Sequence, residues 1–169
     1  MRDDTVIRRL YHQSVIGVAD MKVSADPSEL LVTYALGSCL GVSIYDPYAK
    51  VGGLLHIMLP DSSINPKKRD INPFMFADSG IPLLFSEAYK LGAGKANIIV
   101  KFAGCSQISD ESGIFNIGRR NYAAAKELLQ KHNVFVKAEH CGDVISRTMI
   151  LRIDTGIVLL KIGRQEIAL

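Results

Sequence analysis

The sequence predicts a mixed α+β domain, and three observations carry that expectation. Strand-like runs joined by short turns dominate the N-terminal third, two helix-patterned stretches follow in the middle, and the chain closes on a strand hairpin. Strands and helices segregated in this way favour α+β over a doubly wound parallel sheet, in which they would alternate. No GxGxxG or P-loop follows a strand, so no motif points to a nucleotide site.

Residues 1–14 read as an N-terminal arm or a frayed segment, with Val6, Ile7, Leu10 and Tyr11 on one face of a short helix. The domain proper is expected over 15–169. "VIGVADMKVS" from Val15 is β-rich and stops at the breaker "DPSE". "LLVTYALGSCLGVSIYD" continues as strand, interrupted at Gly37-Ser38. Asp46 and Pro47 suit the first two positions of a turn, so "DPYA" connects to the strand "VGGLLHIML", ended by Pro60. "DSSINPKKRDINP" reads as loop. Ile81, Leu84, Phe85 and Ala88 keep helical spacing, with Pro82 in the first turn and "LGAG" as the stop. "KANIIVKFAG" is a buried-looking strand. "NIGRRNYAAAKELLQKHN" is a helix with Ile117, Ala124, Ala125, Leu128 and Leu129 apolar. "VFVKAEH" is a strand, and "SRTMILRIDTGIVLLKIG" is a hairpin turning at Asp154-Thr155-Gly156.

The 169 residues suggest a single domain, and the net charge of +3 is mild. "PKKRD" (66–70) is the densest basic cluster and reads as a solvated loop. With no basic helix and no basic-aromatic interleaving, nucleic-acid binding is unsupported. No apolar run approaches the ~20 residues that span a bilayer, and "MRDDTVIRRLYHQ" lacks the apolar core of a signal peptide. A soluble, cytoplasmic protein without membrane insertion is the expectation. Three cysteines (Cys39, Cys105 and Cys141) do not make a disulfide framework. No CxxC or HxxxH spacing exists, and His140-Cys141 are neighbours that point apart on a strand, so no metal is expected.

Cys39 stands behind a Gly-Ser pair inside an apolar run. If Asp46 pairs with Ala49 across the turn, Cys39 lies directly opposite His56 on one sheet face, with Cβ atoms ~4.5–5.5 Å apart. A neighbouring histidine that takes the thiol proton makes cysteine a strong nucleophile. Gly37 permits a close backbone approach, and the N–H groups near Ser38 and Cys39 are candidates to face a developing oxyanion. The same residues also fit a small core thiol and a half-buried strand histidine.

At these residues the chain resembles the CheD family, the chemoreceptor glutamine deamidases of bacterial chemotaxis. The resemblance runs from about Val15 to Gly163, through "LGSCLGVSIYDP", "AKVGGLLHIMLPDS", "FADSGIPLL", "FNIGRRN" and the closing "TG" hairpin. It implies a three-layer α/β/β sandwich with mixed and antiparallel sheets, distantly like toxin-type cysteine deamidases. It implies a Cys39-His56-Thr33 site that converts receptor glutamines to glutamates through a thioester, with no metal or cofactor; Gly37 and Ser38 remain the candidates for backbone support. The implied substrate is the cytoplasmic helical domain of chemoreceptors. Thr33 lies six residues before Cys39, ~20 Å along a straight strand, so it reaches the site only if the chain bends near Gly37-Ser38. The alternative function is a binding module that stimulates a CheC-type response-regulator phosphatase, with Phe74 and Phe76 as contact candidates. Cys105 and Cys141 depart from the family pattern and read as incidental.

Overall fold

The computed structural model describes residues 11–107 and 116–169. Among the described residues, ten strands form two five-stranded sheets. The first runs in the order β1 (His12–Val15), β3 (Glu29–Leu36), β8 (Arg147–Arg152), β9 (Val158–Ile162), β10 (Gln165–Ala168). The second runs β2 (Asp20–Ser24), β5 (Val51–Ile57), β4 (Leu40–Asp46), β6 (Ile99–Gly104), β7 (Val136–Cys141). Both sheets are mixed: β1–β3 and β6–β7 pair in parallel and the remaining neighbours are antiparallel. The expected helical face at the N-terminus falls outside the described residues apart from Tyr11. Residues 12–14, the end of the segment expected as an arm or frayed end, join Val15 in an edge strand of the first sheet.

Two strand-like runs of the sequence are divided between the sheets. "VIGVADMKVS" breaks at Ala19, held at φ +55°, into β1 and β2. The run through Cys39 breaks into β3 of one sheet and β4 of the other, so Gly37-Ser38-Cys39 is the crossover between layers.

Alternation along β5 sets the layer order. Gly53, Leu55 and Ile57 face the helices α2 (Ala77–Lys90) and α3 (Ile117–Lys131); a Cβ on Gly53 would lie 2.8 Å from Leu84 of α2. Gly52, Leu54 and His56 face the other sheet; a Cβ on Gly52 would lie 2.7 Å from Ile153. Two apolar cores result. One, built on Leu55, Leu84, Phe102 and Leu129, fills the helix–sheet gap. The other, built on Leu31, Leu36, Leu54, Met149 and Leu160, fills the sheet–sheet gap.

The β4–β5 register differs from expectation. Asp46 pairs with Val51, not Ala49, and Gly41, not Cys39, is opposite His56. A Pro-Tyr tip cannot supply the positive φ angles of a tight two-residue hairpin turn. The Asp46 carboxylate instead accepts the N–H groups of Tyr48 and Ala49 at 2.8 and 3.1 Å, and Lys50 at φ +56° completes a longer loop.

The stretch read as loop after Pro60 holds 3₁₀ turns at Ser62–Ile64 and Pro73–Met75 and the short helix α1 (Pro66–Ile71). Asp61, Asn65 and Asn72 each cap one of them through a side-chain oxygen. Asn-Pro and Asp-Ser pairs are cap chemistry as much as loop chemistry, which is why composition misleads here. α2 starts at Ala77, so Pro82 sits in its second turn. Phe76 is fully buried, which removes it as a contact candidate, and Phe74 is half-buried against the helix-side core. Among the described residues no helix is long and apolar enough to cross a membrane.

Candidate active site

Thr33 on β3 and His56 on β5 face each other across the sheet–sheet gap, both fully buried. Thr33 Oγ1 lies 2.7 Å from His56 Nδ1 and 2.8 Å from the Ile16 carbonyl. The hydroxyl has a single proton. A carbonyl only accepts, so that proton goes to Ile16, and Nδ1–H must donate to Oγ1. The neutral imidazole is thereby fixed in the tautomer with its lone pair on Nε2. That atom is buried and has no hydrogen-bond partner among the described residues, the Cys39 thiol included.

Cys39 is half-buried and packs against the same inter-sheet core. Along β4 it is two residues before Gly41, so it is a diagonal rather than a direct neighbour of His56. The bend that lets Thr33 join the site begins earlier than expected. A bulge sets one extra β3 residue against β8 between Thr33 and Leu36, with Ala35 at φ +55°.

Three consecutive carbonyls pin the crossover. Gly37 O accepts from Ser106 N at 2.8 Å, Ser38 O from Asn121 Nδ2 at 3.0 Å, and Cys39 O from Cys105 N at 2.8 Å. Each N–H points opposite to the C=O of its own planar peptide. Carbonyls tied inward at Gly37 and Ser38 therefore turn the amides of Ser38 and Cys39 outward. Asn121 also donates to Met58 O at 3.1 Å, tying the crossover to the end of β5. Sequence reading passed over Asn121, although its place on the apolar stripe of α3 between Ile117 and Ala125 marks it as a buried polar residue.

Gly104 makes the Cys39 tether possible. Its φ is +108°, and an added Cβ would lie 2.3 Å from Cys39 O. Gly104→Ala is expected to cost about 3 kcal/mol or more of stability from strain and overlap, and to lower turnover by displacing Cys39. Denaturant midpoints and single-site turnover measure both; a neutral outcome on both counts removes Gly104 from the site's support.

Burial sets the charge state. It holds His56 down at about 4 and pushes the Cys39 thiol up from its ordinary value, with the cysteine's own amide opposing. At neutral pH the site is therefore a neutral thiol and a neutral imidazole. In the unfolded chain His56 titrates near 6.5. Between 6.5 and about 4 the unfolded state binds the extra proton, so stability falls as pH falls through that window. The loss is on the order of 3 kcal/mol for the full shift. His56→Gln is expected to be nearly flat between pH 6.5 and 5, where wild type already loses stability; parallel urea-midpoint curves would refute a neutral buried imidazole.

The family model for CheD, chemotactic sensory transduction, matches residues 58–162. That span begins just beyond His56, so the site geometry stands independently of it. The chain is 49% identical to the probable chemoreceptor glutamine deamidase CheD 1 of Syntrophus aciditrophicus, over 87% of this chain and 92% of that protein. It is 45% identical to the probable chemoreceptor glutamine deamidase CheD of Solibacter usitatus, over 91% and 92%. Among solved structures, a Neisseria meningitidis protein of the DUF152 family superposes with a TM-score of 0.51 at 9% identity, over 80% of this chain and 65% of that one, and shares the fold. With a matching family model over more than half its length and relatives of this identity over nearly all of it, the chain belongs to the CheD family.

Proposed function

We propose that this protein deamidates glutamine side chains of chemoreceptors to glutamate, with Cys39 as nucleophile, His56 as acid and base, and Thr33 as the residue that positions His56. The observation that carries the reading is the buried, unpartnered Nε2 of His56, given its lone pair by the Thr33 hydrogen bond. The relatives' names supply the substrate class.

Because thiol and imidazole are both neutral at rest, attack is general-base assisted. Nε2 takes the Cys39 proton as sulfur bonds to the side-chain carbonyl carbon. The oxyanion meets the outward amides of Ser38 and Cys39. Nε2–H then protonates the leaving nitrogen; ammonia departs and a thioester remains. Water, deprotonated by Nε2, attacks the thioester carbon, and Cys39 leaves as the thiol's conjugate base and recovers its proton. Carbon keeps its oxidation state throughout, so the cycle needs no redox partner.

The catalytic unit of this proposal runs over 15–169, with β1 attached, and works in the cytoplasm on the helical receptor domain. The layer order of helices, sheet and sheet supports a distant likeness to toxin-type cysteine deamidases. No surface observation favours the phosphatase-binding alternative. The test is to incubate the protein with a receptor cytoplasmic fragment and map peptides. Specific glutamines should gain about 1 Da as –NH₂ becomes –OH. No gain on cognate receptors overturns the proposal.

A further inference from the structure

We propose that Cys105 and Cys141 form a redox-active disulfide beneath the crossover that carries Cys39. The three cysteines, scattered in sequence, form a row across β4, β6 and β7: Cys105 N donates to Cys39 O, and Gly104 pairs with Cys141. They do not share a face. Regular alternation would turn Cys105 toward the sheet–sheet gap, with Ala103 and Cys39. Successive left-handed residues, Gly104 at φ +108° and Cys105 at φ +56°, turn it to the helix side instead, where Cys141 also packs. The Cys105 and Cys141 side chains line the same cavity. Cys105 directly follows Gly104, the strand partner of Cys141, so the two cysteines stand on neighbouring strands at the short range a disulfide bridges.

Access suits oxidation. Cys141 is half-buried and lines a cavity of about 550 Å³ with Cys105, Tyr122, His140 and Arg147. The buried Arg147 guanidinium, fixed by Gly142 O at 2.9 Å and Ser106 Oγ at 2.7 Å, holds the cavity wall in place. The neighbouring Cys141 thiol and then burial push the Cys105 thiol far up, so Cys105 keeps its proton and waits as the resolving group.

The chemistry balances with hydrogen peroxide as oxidant. Cys141 sulfur attacks one peroxide oxygen, the O–O bond breaks, and Cys141–SOH and water result. Cys105 sulfur then attacks Cys141 sulfur, the S–O bond breaks, and the hydroxyl leaves with the Cys105 proton as a second water. Peroxide gains two electrons and the dithiol loses two; an external dithiol reverses it. Transient disulfides of this kind are the sort that reducing compartments hold. The lever is short. Cys105 N and Ser106 N hold Cys39 O and Gly37 O, so a bond that draws Cys105 sulfur toward Cys141 pulls on the crossover. This coupling to turnover rests on the deamidase reading; the disulfide does not.

The experiment treats the reduced, full-length protein with a small excess of hydrogen peroxide, quenches with iodoacetamide, and maps peptides. The Cys105 and Cys141 peptides should appear joined, about 2 Da below their sum, with Cys39 alkylated, and dithiothreitol should separate them. Cys39→Ala should form the same bridge, and Cys141→Ser should leave Cys105 alkylated. A Cys39–Cys105 bridge overturns the proposal, as does oxidation of Cys39 with both other thiols alkylated. Oxidised protein should deamidate a receptor fragment about tenfold more slowly, reversibly; an unchanged rate overturns the lever. Reduced protein with no activity counts against the deamidase reading alone, since the peptide map needs no substrate.

Discussion

Cys39→Ala is expected to lower receptor deamidation by about 10³-fold or more, to the limit of detection, with little change in thermal stability. The thiol is half-buried and donates no hydrogen bond to His56, so its removal leaves no buried polar group stranded. His56→Gln should be nearly as damaging, because a glutamine cannot take the sulfur's proton. The double variant should be no worse than either single one, since members of a catalytic unit are strongly non-additive. Mass mapping of a receptor fragment measures all three. Multiplicative losses in the double variant would mean that Cys39 and His56 act separately, and the thioester mechanism would fall.

The second large effect belongs to Thr33. Thr33→Val keeps the shape and removes the hydroxyl, leaving the Ile16 carbonyl and the His56 Nδ1–H without the partner they share at 2.8 and 2.7 Å. Each stranded buried group costs about 1–3 kcal/mol, so a loss of about 2–5 kcal/mol in unfolding free energy is expected. Freed from Oγ1, the imidazole loses its fixed tautomer, and kcat should fall about 10²-fold with KM little changed. Thr33→Ser should restore most of both. A merely structural threonine would lose stability without the kcat change. A fully active Thr33→Val removes the positioning role.

Much of the secondary structure was legible. α2 and α3 follow from apolar residues at helical spacing, such as Ile81-Leu84-Phe85-Ala88. The β8–β9 hairpin follows from alternation around a glycine turn, with Gly156 at φ +72°. These signals are local, a few residues wide, and survive in any tertiary setting. The capped turns between Asp61 and Phe76 were not legible as helix, because each is too short to show a period and its Asn, Asp and Pro residues serve loops equally well.

The sequence by itself determined the α+β class, the two long helices, the final hairpin and, through its motifs, the residue types assembled at the site. Only the tertiary structure decided which sheet each strand joins, and with that the site's geometry. "TYALGSCLGV" reads as strand with an interruption at Gly37-Ser38, but only the fold shows that a bulge at Ala35 and the crossover at Gly37–Cys39 send its halves into different sheets. Thr33 therefore meets His56 across the gap between layers, and Cys39 sits diagonal to it rather than opposite. It also decided that Cys105 turns away from Cys39 toward Cys141. The reason is common to all three. Strand propensity is a property of a few neighbouring residues, whereas strand partners are chosen by burial summed over the whole fold.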